Sequence, residues 1–175
     1  MPTFMIFLVI HIFMFSAEVT MWRAGIPEKV EEIPKGDIGV IYSMINQERM
    51  NEGLSLLKLD DTLSHLAWAY ADDMVRRDYF GHINPEGENV GDRLDRARMA
   101  YSLAGEILAE NRSAEGAVEA WLKSPGHYEA IMQEGYEKMG IGVVESDDDY
   151  KIYVVVFYRP LKFPNFNKTV IFGSR

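Results

Sequence analysis

The order of segments in this 175-residue chain predicts an α+β layered fold. Apolar residues recur at helical spacing through most of residues 38–133. The body of the chain then closes on two stretches of strand-forming residues, 139–145 and 150–158, which flank the acidic turn 146–149. With 47% apolar and 26% charged residues the chain can close a core, which rules out a disordered or fibrous polymer. A chain of this length is expected to form one compact domain with short extensions.

Residues 4–15 read FMIFLVIHIFMF, an apolar run broken only by His11 and followed by the small residues Ser16 and Ala17. A membrane span needs about 20 apolar residues. This run is shorter and matches the hydrophobic region of a signal peptide, although no Lys or Arg precedes it. Residues 1–17 are therefore assigned to a signal peptide or N-terminal anchor in contact with the membrane, and the protein to a secreted or membrane-anchored, extracytoplasmic location. Residues 18–36 carry Gly25, Pro27, Pro34 and Gly36 among mixed charges, the chemistry of a linker. The domain is assigned to residues 37–160. The tail, 161–175, has further aromatics and is a candidate edge strand.

Within the domain, Ile38, Ile41, Tyr42, Ile45 and Arg49 predict a first helix over 38–52, with Asp37 as its cap and Gly53 as its stop. Leu63, Leu66, Ala67, Tyr70, Ala71, Met74 and Val75 form a wide apolar stripe opposite Asp72, Asp73, Arg76 and Arg77, predicting a second helix from Asp60 or Asp61. The loop FGHINPEGEN follows, then a short helix over 90–99. Residues 101–109 read equally as strand or turn. Ser113 can cap a helix bearing Ala117, Val118, Ala120, Trp121 and Leu122, and Ser124-Pro125 can open another over 126–133. The unbroken run 153–157 suits a central, buried strand.

A formal net charge of −9 is the wrong sign for neutralising phosphates, which excludes nucleic acid as a partner and disfavours docking of the folded body on an anionic membrane. The chain has no cysteine, so disulfides, thiolate nucleophiles and Cys-ligated metals are excluded. It contains no G-x-G-x-x-G, Walker loop, H-E-x-x-H or G-x-S-x-G. Asp147-Asp148-Asp149 lacks the alternation, central Gly and distal Glu of a calcium loop and reads as a solvated turn. Asn111-Arg112-Ser113 and Asn167-Lys168-Thr169 are formal glycosylation sequons, with Ser113 read first as a helix cap.

Four histidines remain to carry chemistry. His11 lies in the apolar run and His65 on the polar side of the second helix, whereas His82 and His127 stand in Gly- and Pro-rich settings that present a side chain. No local metal-ligand spacing connects these two, so from the residues alone they are a paired site or two separate hydrogen-bonding histidines.

The succession of segments says more. N46-x-x-R49 with Gly53-Leu54 comes first, then 63–74, then Tyr79-Phe80-Gly81-His82 with Pro85-x-Gly87. Ala104-Gly105-Glu106 follows, then Ala117-Val118-x-x-Trp121, Ser124-Pro125-Gly126-His127, and Gly140-Ile141-Gly142-Val143 before an aromatic-rich strand. Over about 38–159 this resembles the CAP superfamily, the SCP-like domain, in its bacterial and archaeal extracytoplasmic form.

The resemblance implies an α-β-α sandwich, a central antiparallel sheet flanked by helices, with a large cleft holding two histidines and acidic residues. By motif these are His82, Glu106 and His127. His82 and His127, with Glu106 as a third ligand, would suit zinc with an open fourth position, and without metal the same groups would move protons near neutral pH. Many family members have Asn after A-G-E and a second Glu soon after the tryptophan. Ile107 and Ser124 stand in those places, leaving a triad. Glu129, two residues beyond His127, points about 200° away on a helix, and Glu110 and Glu119 read as surface charges. The three groups could also simply bond one another and pin three loops. Trp121, Tyr70 and Phe157 are assigned to the core, and Arg93, Arg96 and Arg98, interleaved with Asp92 and Asp95, to a solvated helix face.

The functional expectation is a ligand-binding module for a small molecule, lipid, glycan, peptide or other cell-envelope ligand. The alternatives are a zinc-dependent hydrolase using the same residues, which lacks an obvious separate general base, and a structural surface protein with a vestigial cleft.

Overall fold

A computed structural model describes residues 34–146 and 149–162. The apolar run 4–15, the linker up to residue 33, the centre of the acidic turn and the tail beyond residue 162 lie outside the described residues.

The 153–157 run forms the middle of β4 (Lys151–Pro160), with every one of its side chains fully buried. It pairs antiparallel on one side with β3 (Lys138–Glu145), in the register Glu145↔Lys151 to Lys138↔Tyr158. On the other side it pairs antiparallel with β2 (Tyr101–Asn111), from Asn111↔Lys151 to Tyr101↔Pro160. The stretch left open between strand and turn is thus a strand: its own residues include several helix formers, and the long ladder to β4 decides. A two-residue β1 (Lys58–Leu59) adds to β3 in parallel, so the order is β1-β3-β4-β2 and the otherwise antiparallel sheet is mixed at one edge.

Alternation along β4 sends side chains to both faces, and each face has its own helical cover. On one, Tyr153, Val155 and Phe157 meet Ile41 and Ile45 of α1 (Gly36–Asn51), Trp121 of α4 (Ala114–Lys123) and Ile131 of α5 (Pro125–Ile131). On the other, Ile152, Val154 and Val156 meet Leu63, Ala67 and Met74 of α2 (Asp61–Arg77) and Leu94 of α3 (Val90–Arg96). This is an α-β-α sandwich.

The helix ends follow their sequence signals with two exceptions. Asp60 caps α2, accepting from the Thr62 and Leu63 N–H groups at 3.1 Å each. It also accepts from Lys138 Nζ at 2.7 Å. Burial works to raise the Asp60 pKa, but Lys138 and the two N–H groups outweigh it and hold the carboxyl below its ordinary range. Asn89 and Asp92 form a reciprocal capping box on α3, which stops three residues short of 99 because Arg98 turns left-handed (φ 59°) and Met99 N–H closes on the Leu94 carbonyl. Ser113 caps α4 through the Gly116 N–H.

The first exception is Asp37. It is not the cap of α1, a position held by Lys35 with no side-chain bond. Instead its carboxylate accepts from Lys151 Nζ at 2.8 Å and from the Tyr153 hydroxyl at 3.2 Å, tying α1 to β4. The second is Ser124, which occupies the N-cap of α5 without a side-chain bond.

N46-x-x-R49 is a pair of internal staples. Asn46 takes the place of a strand neighbour for Leu57, donating to its carbonyl at 3.0 Å and accepting from its N–H at 2.9 Å. Arg49, fully buried, donates to the carbonyls of Ser55, Ile131 and Gln133. Asn46→Ala leaves both Leu57 backbone groups unpaired inside the core, for an expected loss of about 2–3 kcal/mol in urea unfolding. A loss below about 0.5 kcal/mol would show that the staple is dispensable.

Candidate functional site

The site is assembled where the end of α2, the start of α3 and strand β2 meet. Asp78 leaves α2 in a left-handed conformation (φ 52°), turning the chain into the 78–89 loop. Two anchors hold that loop. The Tyr70 hydroxyl donates to the Gly81 carbonyl at 2.5 Å. Buried Asn84 accepts from the Glu88 N–H at 2.8 Å and donates to the Glu88 carboxylate at 2.9 Å. His82 is therefore presented from a braced segment, with its side chain 54% exposed.

Glu106 lies on β2, an outer strand of the sheet, between Ala104 and Leu108 on the face covered by α2 and α3. Its side chain is buried and both of its oxygens are engaged. Oε1 meets His82 Nδ1 at 3.0 Å, and Oε2 meets Arg93 Nη2. A carboxylate only accepts, so Nδ1 is the donor in this bond and Nε2 lies outside it.

Arg93 overturns the expectation of a solvated face. Its side chain is 4% exposed, its guanidinium lies 3.4 Å from the centre of the Tyr70 ring, and Nη1 donates to the Glu88 carbonyl. Tyr70 sits in the core as expected and also braces the site from below. Arg96 and Arg98 remain exposed. The local signal that could have singled out Arg93 is the N89-x-x-D92 capping box, which fixes the start of α3 and hence the face residue 93 takes.

His127 projects from the first turn of α5, half-buried and without a hydrogen bond. Burial first, and then the nearby His82, lower its pKa. No hydrogen bond joins His127 to either member of the His82–Glu106 pair. Ile107 is fully buried, and Glu110, Glu119 and Glu129 are exposed. Trp121 is core, its indole donating to the Leu108 carbonyl at 2.8 Å. Phe80 and Ile83, on either side of His82, are 51% and 61% exposed and give the rim an apolar character.

Glu106 has no free oxygen, and the guanidinium on Oε2 would stand against an arriving cation. Among the described residues no group of three or more His, Asp or Glu side chains is placed to hold a metal ion.

The depressed His127 pKa has a consequence for stability. The unfolded chain takes up this proton first, near pH 6.5. Stability is thus expected to fall as pH drops through about 6.5 and to level off below the folded pKa. His127→Gln should flatten that part of a melting-temperature profile, and an unchanged slope would assign the pH dependence elsewhere.

A model of the cysteine-rich secretory protein family, CAP, matches residues 42–158. An uncharacterized protein of Bacillus subtilis (strain 168), YkwD, is 33% identical over 132 residues, covering 75% of this chain and 50% of its own length. This chain thus spans half of that curated relative. An outer surface protein of Borrelia burgdorferi superposes with a TM-score of 0.67 at 30% identity, over 71% of this chain and 93% of the other. An extracellular SCP-domain protein of Bacillus anthracis str. Ames superposes with a TM-score of 0.62 at 32% identity, over 68% and 39% respectively.

Proposed function

This chain belongs to the cysteine-rich secretory protein (CAP) family, and we propose that it works outside the cytoplasm as a ligand-binding module, receiving its ligand at His82 and His127, with buried Glu106 orienting the His82 ring. The observation that carries this reading is the Arg93–Glu106–His82 relay. Two buried, oppositely charged groups orient one exposed imidazole, whose Nε2 edge is left for a partner from solvent. With Phe80 and Ile83 beside it, the ligand has a hydrogen-bonding end and an apolar portion. A lipid, a glycan or a peptide meets that description.

Binding is favoured over hydrolysis because the His82 Nδ1 is bonded to a carboxylate and, among the described residues, no serine hydroxyl meets the imidazole and no group of three His, Asp or Glu side chains is placed to hold a metal ion. An extracytoplasmic setting is supported by the apolar run 4–15 and by the extracellular and outer-surface relatives. Among the described residues no helix is long and apolar enough to cross a membrane.

The test is a calorimetric screen of the full chain against defined lipids, cell-wall fragments and short peptides, repeated with the variant His82→Ala plus His127→Ala. Saturable binding that the double variant loses, with its melting temperature kept within a few degrees, is the expected result. Binding indifferent to the substitutions, or no saturable ligand, would sink the proposal. A chelator that shifts the wild-type melting curve would move the reading to the metal-dependent hydrolase.

A further inference from the structure

A cavity of about 430 Å³ opens between α2 and α3 and is walled by Arg76, Arg77, Arg93 and Arg96. Four of the chain's ten arginines thus face one hollow in a protein whose formal net charge is −9. Asp73 and Glu86 are the acidic residues on the same wall, so the lining itself holds four guanidiniums to two carboxylates, and Asp72, Glu88 and Glu106 complete the pairing from outside it. Leu66, Ala69 and the Tyr70 ring supply an apolar surface.

The arginines already have partners: Arg76 meets Asp72 and Asp73, Arg77 meets Asp73 and Glu86, and Arg96 meets Glu88. The Arg76 and Arg96 side chains are nonetheless 64% and 66% exposed, and ion pairs in that setting are weak enough to exchange for a better anion. Arg93 differs. It is buried, yet its Nε has no partner, so its hydrogen-bonding capacity is incompletely used on a wall of the cavity.

We propose that this cavity binds a small, soluble phosphate ester, its phosphate held by Arg76, Arg93 and Arg96 and its organic part against Leu66 and Tyr70. Guanidinium forks match phosphate oxygens in geometry as well as charge. The volume corresponds to roughly fourteen waters of the liquid, enough for a phosphate and one ring and too little for a lipid chain. The cavity lining does not include His82, Glu106 or His127, but it is linked to them through Arg93, since the same guanidinium holds Glu106.

Phenyl phosphate is the probe, titrated calorimetrically into the full chain at low salt, with phenol and inorganic phosphate as controls. Saturable binding is expected, at least fivefold tighter than inorganic phosphate, with none for phenol. Arg76→Gln and Arg96→Gln should each weaken it about fivefold or more, and raising NaCl from 50 to 500 mM should weaken it severalfold. Saturation should also move the His82 ring resonances through Arg93 and Glu106. The proposal is overturned by the absence of saturable binding, by affinity indifferent to both arginine substitutions, or by binding that leaves His82 unmoved. Co-sedimentation with phosphatidic acid vesicles in place of phenyl phosphate binding would overturn the choice of a soluble ligand.

Discussion

Gly140→Ala or Gly142→Ala is expected to lower the melting temperature by roughly 10 °C, or to leave no soluble protein. These glycines occupy alternate positions on β3, on the face against which α2 rests. A Cβ on Gly140 would stand 2.2 Å from the Leu63 carbonyl carbon, and one on Gly142 would stand 2.2 Å from the Trp68 amide nitrogen. Both obstacles are backbone, so no rotamer change relieves the clash. The helix itself must retreat, taking Leu63, Ala67, Ala71 and Met74 out of contact with β4. Overpacking in a core costs about 1–3 kcal/mol where side chains can adjust, and here the upper end or beyond is expected. The control is Gly126→Ala in α5, where a Cβ meets nothing within 4 Å and the change should be neutral or slightly stabilising. Wild-type melting in the Gly140 and Gly142 variants would mean that α2 does not lie directly on the strand.

The second large effect is at Arg93. Arg93→Met leaves Glu106 buried with its second oxygen bare, and removing one member of a buried pair costs about 3–5 kcal/mol. The double variant Arg93→Met plus Glu106→Leu should recover at least about 1 kcal/mol of that loss in urea unfolding, because no orphaned charge remains. If the double variant is instead less stable than the single one by the full cost of another mutation, the two residues act independently and the relay to His82 is wrong. The His82 ring resonances should also shift in Arg93→Met, because the carboxylate that orients the ring loses its second anchor.

How far the sequence reveals this arrangement depends on how local each determinant is. The stripe of α2, the caps at Asp60 and Ser113 and the buried run of β4 are written in neighbouring residues, and the structure has them in place. Strand β2 is ambiguous from its own residues because they include helix formers, and its conformation is decided by β4, some forty residues later. Asp37 looks like a cap because caps are local, whereas its partners Lys151 and Tyr153 are more than a hundred residues away. At the site, His82, Glu106 and His127 are picked out by their place in a family-like succession of fragments. Arg93 is not, since an alternating Asp-Arg-Leu-Asp-Arg stretch has the look of a wetted face until Glu106 is seen opposite it.

Because β4 contributes alternate side chains to both cores, neither helical cover can detach without baring half of the strand that the other cover needs. The two layers should therefore melt as one cooperative unit, in spite of their separate interiors. The slowest amide protons to exchange with deuterated solvent should be those of 153–157, opening only with the whole molecule, while those of the 78–89 segment should exchange through local fluctuations and at far lower free energy.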